Sequence, residues 1–244
     1  MEKVRISKYF TDCGVMSRRA AEAEIQNGKV KVNGEIATLG QKIDPECDTV
    51  EYKGKKICMP SGEKICIMLN KPRGIVTTSS DEKGRADVTQ LCSDLRDGTG
   101  RPVRLYPIGR LDMDSDGLLL LTNDGELANK LTHPRHSIPK IYEVTLGGAL
   151  TAEQTAALGT PIVIDGRETV PVTVKKLAGD GSTTLARFEL YEGRNRQIRR
   201  MCESHGVAIK RLCRVAIGNI TLGDLPTGKW RKLTDAEIKY LKEC

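Results

Sequence analysis

The order of strand-like and helix-like runs beyond residue 62 is the feature that most limits the fold of this chain. Strand-like runs are predicted at Ile65 to Leu69, Val103 to Ile108, Leu118 to Thr122, Ile141 to Leu146, Val170 to Lys175 and Thr184 to Leu190. Helix-like runs are predicted at Gly125 to Leu131, Ala152 to Leu158, Arg196 to His205 and Asp235 to Lys242. The two kinds do not alternate regularly, and the chain has neither a G-x-G-x-x-G nor a Walker A sequence, which argues against a doubly wound nucleotide-binding sheet. We expect an α+β fold built on a mixed, mainly antiparallel sheet with flanking helices.

The first sixty residues predict a separate, smaller unit with two helices and a hairpin. The apolar residues from Val4 to Phe10 fall on one helical face before Gly14, and Ser17 is placed to cap a second helix that runs to Ile25. The dipeptide Asn33-Gly34 then follows a short alternating run of valine and lysine. A type I′ turn prefers this dipeptide because both of its central residues need positive φ, so a hairpin is predicted here.

The stretch from Tyr52 to Lys64 is basic, rich in turn-forming residues and without apolar periodicity, which indicates a linker or a domain edge. We place the domain boundary near residue 62, with a small α/β domain at residues 1–61 and a larger domain at residues 62–244. The chain has 244 residues, of which 39% are apolar, and this is enough for a packed core in each domain.

Composition narrows the class of partner. A formal charge of +7 suits a basic face that meets phosphates, so nucleic acid is the expected partner. The eight cysteines form no C-x-x-C pair, which predicts reduced, buried thiols in a cytosol. No opening apolar run has the length of a signal peptide, and no stretch approaches the roughly 18 apolar residues of a membrane span. We therefore expect a cytoplasmic monomer that does not bind membranes.

Two neighbouring segments in the N-terminal unit resemble a known RNA-binding domain. Ser17-Arg-Arg-Ala-Ala-Glu-Ala-Glu-Ile25 and Gly28-Lys-Val-Lys-Val-Asn-Gly34 are similar to the αL-type domain named after a small-subunit ribosomal protein. The resemblance spans about residues 3 to 60 and implies phosphate contacts by Arg18, Arg19, Lys29 and Lys31. Such contacts position RNA without reading its sequence. Taken alone, the paired arginines are equally well explained as a solvated helix face.

Three later segments resemble the RsuA/RluB/RluF-type pseudouridine synthases. They are Tyr106-Pro-Ile-Gly-Arg-Leu-Asp112 with Met-Asp-Ser-Asp-Gly117 after it, Lys140-Ile-Tyr142, and Glu192-Gly-Arg-Asn-Arg-Gln-Ile-Arg-Arg-Met201. The resemblance implies a catalytic domain that isomerises uridine to pseudouridine in RNA without a cofactor. This reaction breaks the glycosidic nitrogen-carbon bond, rotates the base and rejoins it through a ring carbon. It involves no net redox change and transfers no group.

The resemblance assigns three catalytic residues. Asp112 is the nucleophile, and both attack on the sugar and attack on the base remain open. Burial would raise the pKa of this carboxyl group, so its ionised form needs a nearby cation, which the resemblance supplies as Arg199. Tyr142 is implied to lie against the target base and to handle a proton. Without the flanking segments, Tyr142 would be an ordinary sheet residue.

Further residues are implied or predicted to contact RNA. The target base must leave its stack, and the resemblance implies that Arg110 fills the vacated space and Ile217 lines the base pocket. The stretch from Gly193 to Arg214 is strongly basic and predicts a phosphate track, with contacts by Arg194, Arg196 and Arg200. Ala216 departs from the family, in which a basic residue is usual at this position.

The sequence around Asn195 to Glu203, with the ending Gly228 to Thr234, looks closest to the RluF branch, whose members act on 23S ribosomal RNA. The expected partner is therefore large-subunit ribosomal RNA or its precursor particle. The same chemistry on small-subunit ribosomal RNA or transfer RNA stays an alternative. A ribosome assembly factor without turnover is another, and the intact catalytic residues argue against it.

Metal binding is a rival interpretation of the clustered aspartates. The spacing Asp112-x-Asp114-x-Asp116-Gly117 matches the opening of an EF-hand loop. Its twelfth position is Asn123 where a bidentate glutamate is needed, and Leu118 to Leu121 is typical of a buried strand. A magnesium-dependent Asp-x-Asp phosphatase would need an apolar strand leading directly into the aspartates. His133 and His136 lack ligand spacing and are expected to touch RNA or solvent, so no metal site is predicted.

Overall fold

The computed structural model describes residues 3–59, 63–78, 84–133 and 138–244. Contacts divide the chain into two units, the first made of Met1–Lys64, Leu95–Arg104 and Asn123–Gly125 and the second of the remainder. The predicted boundary near residue 62 and the predicted role of His136 lie outside the described residues. In the described ranges, no helix is both long enough and apolar enough to cross a membrane.

The first unit is a small α/β structure. Its elements, in chain order, are β1 (Val4–Arg5), α1 (Ile6–Asp12), α2 (Arg18–Gln26), β2 (Val30–Val32), β3 (Glu35–Ile36), β4 (Lys42–Ile43), β5 (Val50–Tyr52) and β6 (Lys55–Ile57). An antiparallel sheet has the strand order β3-β2-β5-β6, and β1 pairs with β4. Both helices pack on a core that includes Phe10, Ile25 and Val30.

Local signals explain the elements of this unit. Ser17 caps α2 by accepting a hydrogen bond from the backbone N–H of Ala20 at 3.2 Å. Asn33 and Gly34 have φ of 52° and 89°, as a type I′ turn requires. The predicted two helices and hairpin are therefore confirmed, although α1 begins only at Ile6. The linker alternative is wrong for the start of the stretch from residue 52, because β5 and β6 form a second hairpin between residues 50 and 57.

The second unit contains the large sheet. Its strands and helices, in chain order, are β7 (Cys66–Lys71), a 3-10 turn (Gln90–Cys92), β8 (Tyr106–Ile108), β9 (Asp116–Thr122), α3 (Gly125–Thr132), β10 (Lys140–Gly147), α4 (Ala152–Ala157), β11 (Val163–Ile164), β12 (Arg167–Glu168), β13 (Thr173–Gly179), β14 (Thr183–Leu190), α5 (Gln197–Ser204), β15 (Ile209–Ile217), β16 (Ile220–Thr221), β17 (Trp230–Lys232) and α6 (Asp235–Glu243).

The main path of the sheet runs β13-β14-β10-β15-β9-β7-β17, with β16 paired to β15 and β8 paired to β9. Among the described strands of this sheet, β9 and β15 are the parallel pair, and the other pairs are antiparallel. The expected α+β fold on a mixed, mainly antiparallel sheet with flanking helices is therefore confirmed.

Strand β9 is the centre of this unit, because all seven of its residues are buried. One apolar cluster joins β7 and β9 to α3 and α6 through residues such as Leu118, Leu127 and Leu241. A second cluster joins β10 and β14 to α5 through residues such as Val144, Phe188 and Met201. The two clusters support the sheet on its helix-covered sides. Asp112 lies in the connection between two strands of this sheet, β8 and β9.

The cysteine prediction holds in part. All eight cysteines are free thiols, and Cys66, Cys92, Cys202 and Cys213 are buried. The expectation of burial is wrong for two others, since Cys47 and Cys58 are exposed.

Candidate active site

A tightly held turn carries Asp112. Gly109, at φ 73°, follows β8, and the backbone N–H of Ser115 donates to the carbonyl of Asp112 at 3.1 Å just before β9 begins. The Thr77 hydroxyl donates to the carbonyl of Leu111 at 2.6 Å and accepts from its N–H at 3.3 Å. The backbone around Asp112 is therefore fixed by hydrogen bonds on both sides.

Lys71, at the end of β7, holds this turn from within the core. Its side chain is fully buried, and its Nζ donates to the carbonyls of Pro72, Asp112 and Ser115 at 3.0, 3.0 and 2.9 Å. Burial lowers the pKa of Lys71 to about 8, although the charges of Asp116 and Asp112 oppose that shift. A charged lysine here stabilises the turn through three carbonyl dipoles.

The cation beside Asp112 is Arg196, which differs from the sequence expectation. Arg196 Nη1 lies 3.4 Å from Asp112 Oδ2, while Arg199 Nη2 lies 3.2 Å from Asp114 Oδ1. Arg199 also donates to the carbonyl of Asp114 at 3.0 Å and to the hydroxyl of Ser115 at 3.2 Å. Arg199 projects from the first turn of α5 onto the backbone of the turn, so it reaches the neighbours of Asp112 instead of its carboxylate.

The two arginines set the charge of the turn. Burial raises the pKa of Asp114, but the hydrogen bond from Arg196 and the positive charges of Arg199 and Arg196 outweigh it, so the pKa lies below its usual range. Burial lowers the pKa of Arg199, against the attraction of Asp114 and Asp112. The site therefore combines two guanidinium cations, the half-exposed Arg196 and the largely buried Arg199, with the carboxylates of Asp112 and Asp114.

Tyr142 lies on β10, directly opposite Arg214 of β15 in the strand register. The Arg214 guanidinium carbon is 6.0 Å from the centroid of the Tyr142 ring. Arg214 is buried and donates to the carbonyls of Leu118 and Arg110 at 2.7 and 3.4 Å. It therefore links the backbone on either side of Asp112 to the strand that carries Tyr142.

These side chains surround a pocket with a volume of about 660 Å³. Its lining includes six of the predicted site residues, namely Arg110, Asp112, Tyr142, Arg194, Arg196 and Ile217. Arg199 lies behind the turn, and Arg200 is directed to the exposed Asp165 at 3.1 Å. Ala216 is buried in β15, so its side chain offers no surface for a phosphate. A pocket of this size suits a small organic group such as one nucleotide.

The predicted phosphate track is interrupted, because several of its basic side chains have internal partners. Arg194 donates to Glu192 and to the carbonyls of Arg167 and Glu168 at 3.0, 2.7 and 2.7 Å. Arg211 pairs with the buried Asp116 at 2.6 Å. A run of basic residues in sequence is therefore not a run of basic residues on one surface.

The predicted RNA-contacting residues of the first unit lie on its surface. Arg18 and Arg19 are exposed in the first turn of α2, and Lys31 is exposed on β2. Lys29 pairs with Glu24 at 3.0 Å. The fold brings these residues to two neighbouring elements, α2 and the hairpin after it.

Sequence reasoning missed Lys71 and Thr77, and it placed Arg214 in the phosphate track although the side chain is buried. Each acts on backbone carbonyls of a distant segment, and no spacing in the sequence marks such a contact. The sole indication for Lys71 is its place at the end of an apolar run, where a surface lysine would fit equally well.

Comparison with known proteins agrees with this arrangement. The model of the RNA pseudouridylate synthase family matches residues 65–204, and the S4 domain model matches residues 14–50. The ribosomal large subunit pseudouridine synthase B of Bacillus subtilis is 41% identical over 241 residues, which is 98% of this chain and 95% of that protein. The dual-specificity RNA pseudouridine synthase RluF of Escherichia coli is 40% identical over 236 residues, which is 96% of this chain and 77% of that protein.

A solved pseudouridylate synthase has a similar structure. It gives a TM-score of 0.66 at 30% identity and covers 98% of this chain and 99% of that one. The chain therefore belongs to the RNA pseudouridylate synthase family, with an S4 domain ahead of the synthase domain. The resemblance to RsuA/RluB/RluF-type enzymes is confirmed, and the chain is an isomerase of RNA uridine.

Proposed function

We propose that this enzyme converts one uridine of large-subunit ribosomal RNA to pseudouridine, with Asp112 as the nucleophile. The single observation that carries the proposal is the shared pocket, which Asp112 and Tyr142 both line beside Arg110, Arg196 and Ile217. Near full-length similarity to a large-subunit synthase supports the choice of RNA. Such a substrate implies a cytoplasmic location, and we propose action as a monomer.

Asp112 is suited to nucleophilic attack by its surroundings. Its side chain is 29% exposed, so a substrate atom can approach it, and Arg196 offers a compensating charge. Arg199 acts from behind the turn by fixing Asp114 and Ser115. Attack on the sugar or on the base leads to cleavage of the bond between uracil N1 and the sugar carbon. The base then rotates, forms a bond from its C5 to the same sugar carbon and loses the C5 proton.

Tyr142 supplies a ring face for the captured base and a phenolic oxygen for proton transfer. Its ring is held by the neighbouring Arg214. Ile217 completes the apolar wall of the pocket, and the exposed Arg110 at the rim fills the space that the extruded base leaves. Extrusion costs a few kcal/mol, which favours a target in a loop or a strained helix.

We propose two further RNA-binding regions. The domain of residues 1–61 contacts phosphates through Arg18, Arg19, Lys29 and Lys31. In the domain of residues 62–244, the half-exposed Arg196 and Arg200 are available to phosphates at the pocket rim. We assign Arg194 a positioning role, because its donors are engaged by Glu192 and two backbone carbonyls.

The direct test is turnover on ribosomal RNA tritiated at uracil C5. We expect wild-type protein to release tritium without added metal or nucleotide, because rejoining the base through a ring carbon displaces a proton. Asp112→Asn removes the nucleophile, and we expect release to fall at least about 10³-fold.

Asp224→Asn is the matched control, since Asp224 is exposed and outside the pocket lining, and the chemical change is the same. Equal release by wild type and Asp112→Asn would contradict the catalytic assignment. Tight ribosome binding without release by any variant would favour the assembly-factor alternative.

A further inference from the structure

Arg196 combines an unusual backbone with an unusual set of partners. It directly precedes α5 and has φ 51° and ψ 32°, a left-handed conformation that few residues other than glycine adopt. Such conformations persist where surrounding contacts fix them, and they concentrate at functional sites. The contacts of the Arg196 side chain are therefore informative about function.

The Arg196 guanidinium bridges two carboxylates at the pocket. Its Nη1 and Nη2 donate to Asp114 Oδ1 and Oδ2 at 3.2 and 3.1 Å, and Nη1 also approaches Asp112 Oδ2 at 3.4 Å. The bidentate pair is thus with Asp114, and the contact with Asp112 is the longest of the three. Arg196 therefore occupies the space beside the nucleophile that a substrate must enter.

Exposure distinguishes Arg196 from the second arginine of the site. The Arg196 side chain is 43% exposed and that of Asp114 is 39% exposed, whereas Arg199 is 16% exposed. Ion pairs between exposed side chains contribute little, because water and salt screen them. Arg199 also pairs with Asp114, at 3.2 Å, so departure of Arg196 would leave a cation at the turn.

We propose that Arg196 exchanges partners when RNA binds: it leaves Asp112 and Asp114 and binds a backbone phosphate of the target nucleotide or its neighbour. In this exchange, the solvent-exposed ion pairs of Arg196 with Asp112 and Asp114 are replaced by a charge-assisted hydrogen bond to phosphate. It also frees the Asp112 carboxylate for attack. This inference rests on the proposed role of Asp112.

The test is the salt dependence of RNA binding, measured with product RNA that the wild-type protein has already isomerised, so that no turnover occurs. Each neutralised phosphate contributes about 0.7 to 0.9 to the slope of log affinity against log salt. We expect Arg196→Gln to make this slope shallower by about that amount. Arg187→Gln is the control, because Arg187 also forms an exposed arginine-carboxylate pair, with Glu143 at 2.9 Å, away from the pocket lining.

Arg196→Lys provides the second arm. Lysine keeps the charge but loses the planar fork, so we expect the wild-type slope with a weaker affinity. An unchanged slope in Arg196→Gln would overturn the exchange while leaving the proposed function intact. A slope reduced equally in Arg196→Lys would also overturn it, because the loss would not follow the charge. Absence of wild-type turnover would instead overturn the proposed function.

Discussion

Two buried cations organise the backbone around Asp112, and neither needs to touch substrate to matter. Lys71 binds the carbonyls of Asp112 and Ser115, and Arg214 binds those of Arg110 and Leu118. Burying these two cations costs free energy of desolvation, and this cost is offset by hydrogen bonds to backbone carbonyls and by nearby carboxylates. At the scale of single residues, the position of Asp112 therefore depends on groups outside the sequence segment that carries it.

Lys71→Met should damage both stability and turnover. The methionine fills similar space but removes the lysine donor from three carbonyls, of which that of Asp112 keeps the Ser115 N–H, so we expect the free energy of unfolding to fall by roughly 2–4 kcal/mol. Displacement of Asp112 should lower kcat by about 10²-fold. Urea unfolding and tritium release measure the two effects. Lys239→Met, at a side chain that is 77% exposed, should change stability by less than about 0.5 kcal/mol; equal losses in both variants would contradict this account.

Gly117→Ala tests the close contact between β9 and β15. A Cβ on Gly117, at φ 103°, would lie 2.3 Å from the carbonyl oxygen of Arg214, so the strands would have to separate beside the active site. We expect a loss of roughly 2–4 kcal/mol in unfolding free energy. Gly148→Ala is the control for backbone strain alone, because Gly148 has φ 97° and no described atom lies within 4 Å of the place that its new methyl group would take. It should cost about 1 kcal/mol, and a similar cost at both positions would show that the strand contact is unimportant.

At the scale of elements, α6 is tied to β17 by one ion pair. Arg231 and Glu237 form two hydrogen bonds of 2.8 and 2.6 Å, and Glu237 also completes the capping box with Thr234. The hydrogen bonds from Arg231 lower the pKa of Glu237 to about 2, against the effect of burial. This pair fixes the helix whose Leu241 enters the core.

The ion pair makes stability depend on acid pH. A carboxyl group with a lowered folded-state pKa contributes stability that is complete above its unfolded pKa of 4.5 and is lost as pH falls toward 2. We expect Glu237→Gln to lose about 1–2 kcal/mol at pH 7, allowing for the partly exposed Arg231, and to lose less at about pH 3. Urea unfolding at the two pH values measures this. Glu243→Gln, on the same helix but 66% exposed, should show no such difference; a pH-independent loss in Glu237→Gln would contradict the ion-pair explanation.

Local signals predicted most elements, and non-local contacts explain the exceptions. Capping by Ser17 and the Asn33-Gly34 turn act within a few residues, so the sequence pattern alone indicates them. Strand β15 was not predicted, because Arg211 and Arg214 interrupt its apolar pattern. Their charges are compensated by Asp116 and by backbone carbonyls from β9 and the turn before it, which lie about a hundred residues earlier. Pairing over such a distance leaves no local trace.

At the scale of the whole molecule, we propose that the S4 domain contributes to RNA binding and that the synthase domain carries out catalysis. We expect Arg18→Gln with Arg19→Gln to raise KM for ribosomal RNA several-fold while kcat stays unchanged, since we propose that these exposed residues contact phosphates and not the reacting base. Steady-state kinetics of tritium release measures both constants. Lys55→Gln with Lys56→Gln removes the same charge from exposed positions of the same unit and should leave KM unchanged. An equal rise in KM for both double variants would indicate a general charge effect.

The sequence predicted which residues line the candidate site better than it predicted which of them contact one another. Asp112, Tyr142 and Ile217 were named from the family resemblance, and the fold brings them to one pocket. The pairing of Asp112 with Arg196 was not predictable, because Arg196 and Arg199 are close in sequence and no local pattern indicates the left-handed conformation of Arg196 just before α5. No single motif of this chain identifies the target nucleotide, because the choice of nucleotide depends on the shape of the RNA.

The most direct test of the central claim is a pseudouridine map of ribosomal RNA from cells that lack the gene. We predict that one modified uridine disappears from large-subunit RNA and returns when wild-type protein is supplied, whereas Asp112→Asn protein does not restore it. A map unchanged by deletion of the gene, or one restored by Asp112→Asn, would contradict the assignment of this pocket as a pseudouridine synthase site that works through Asp112.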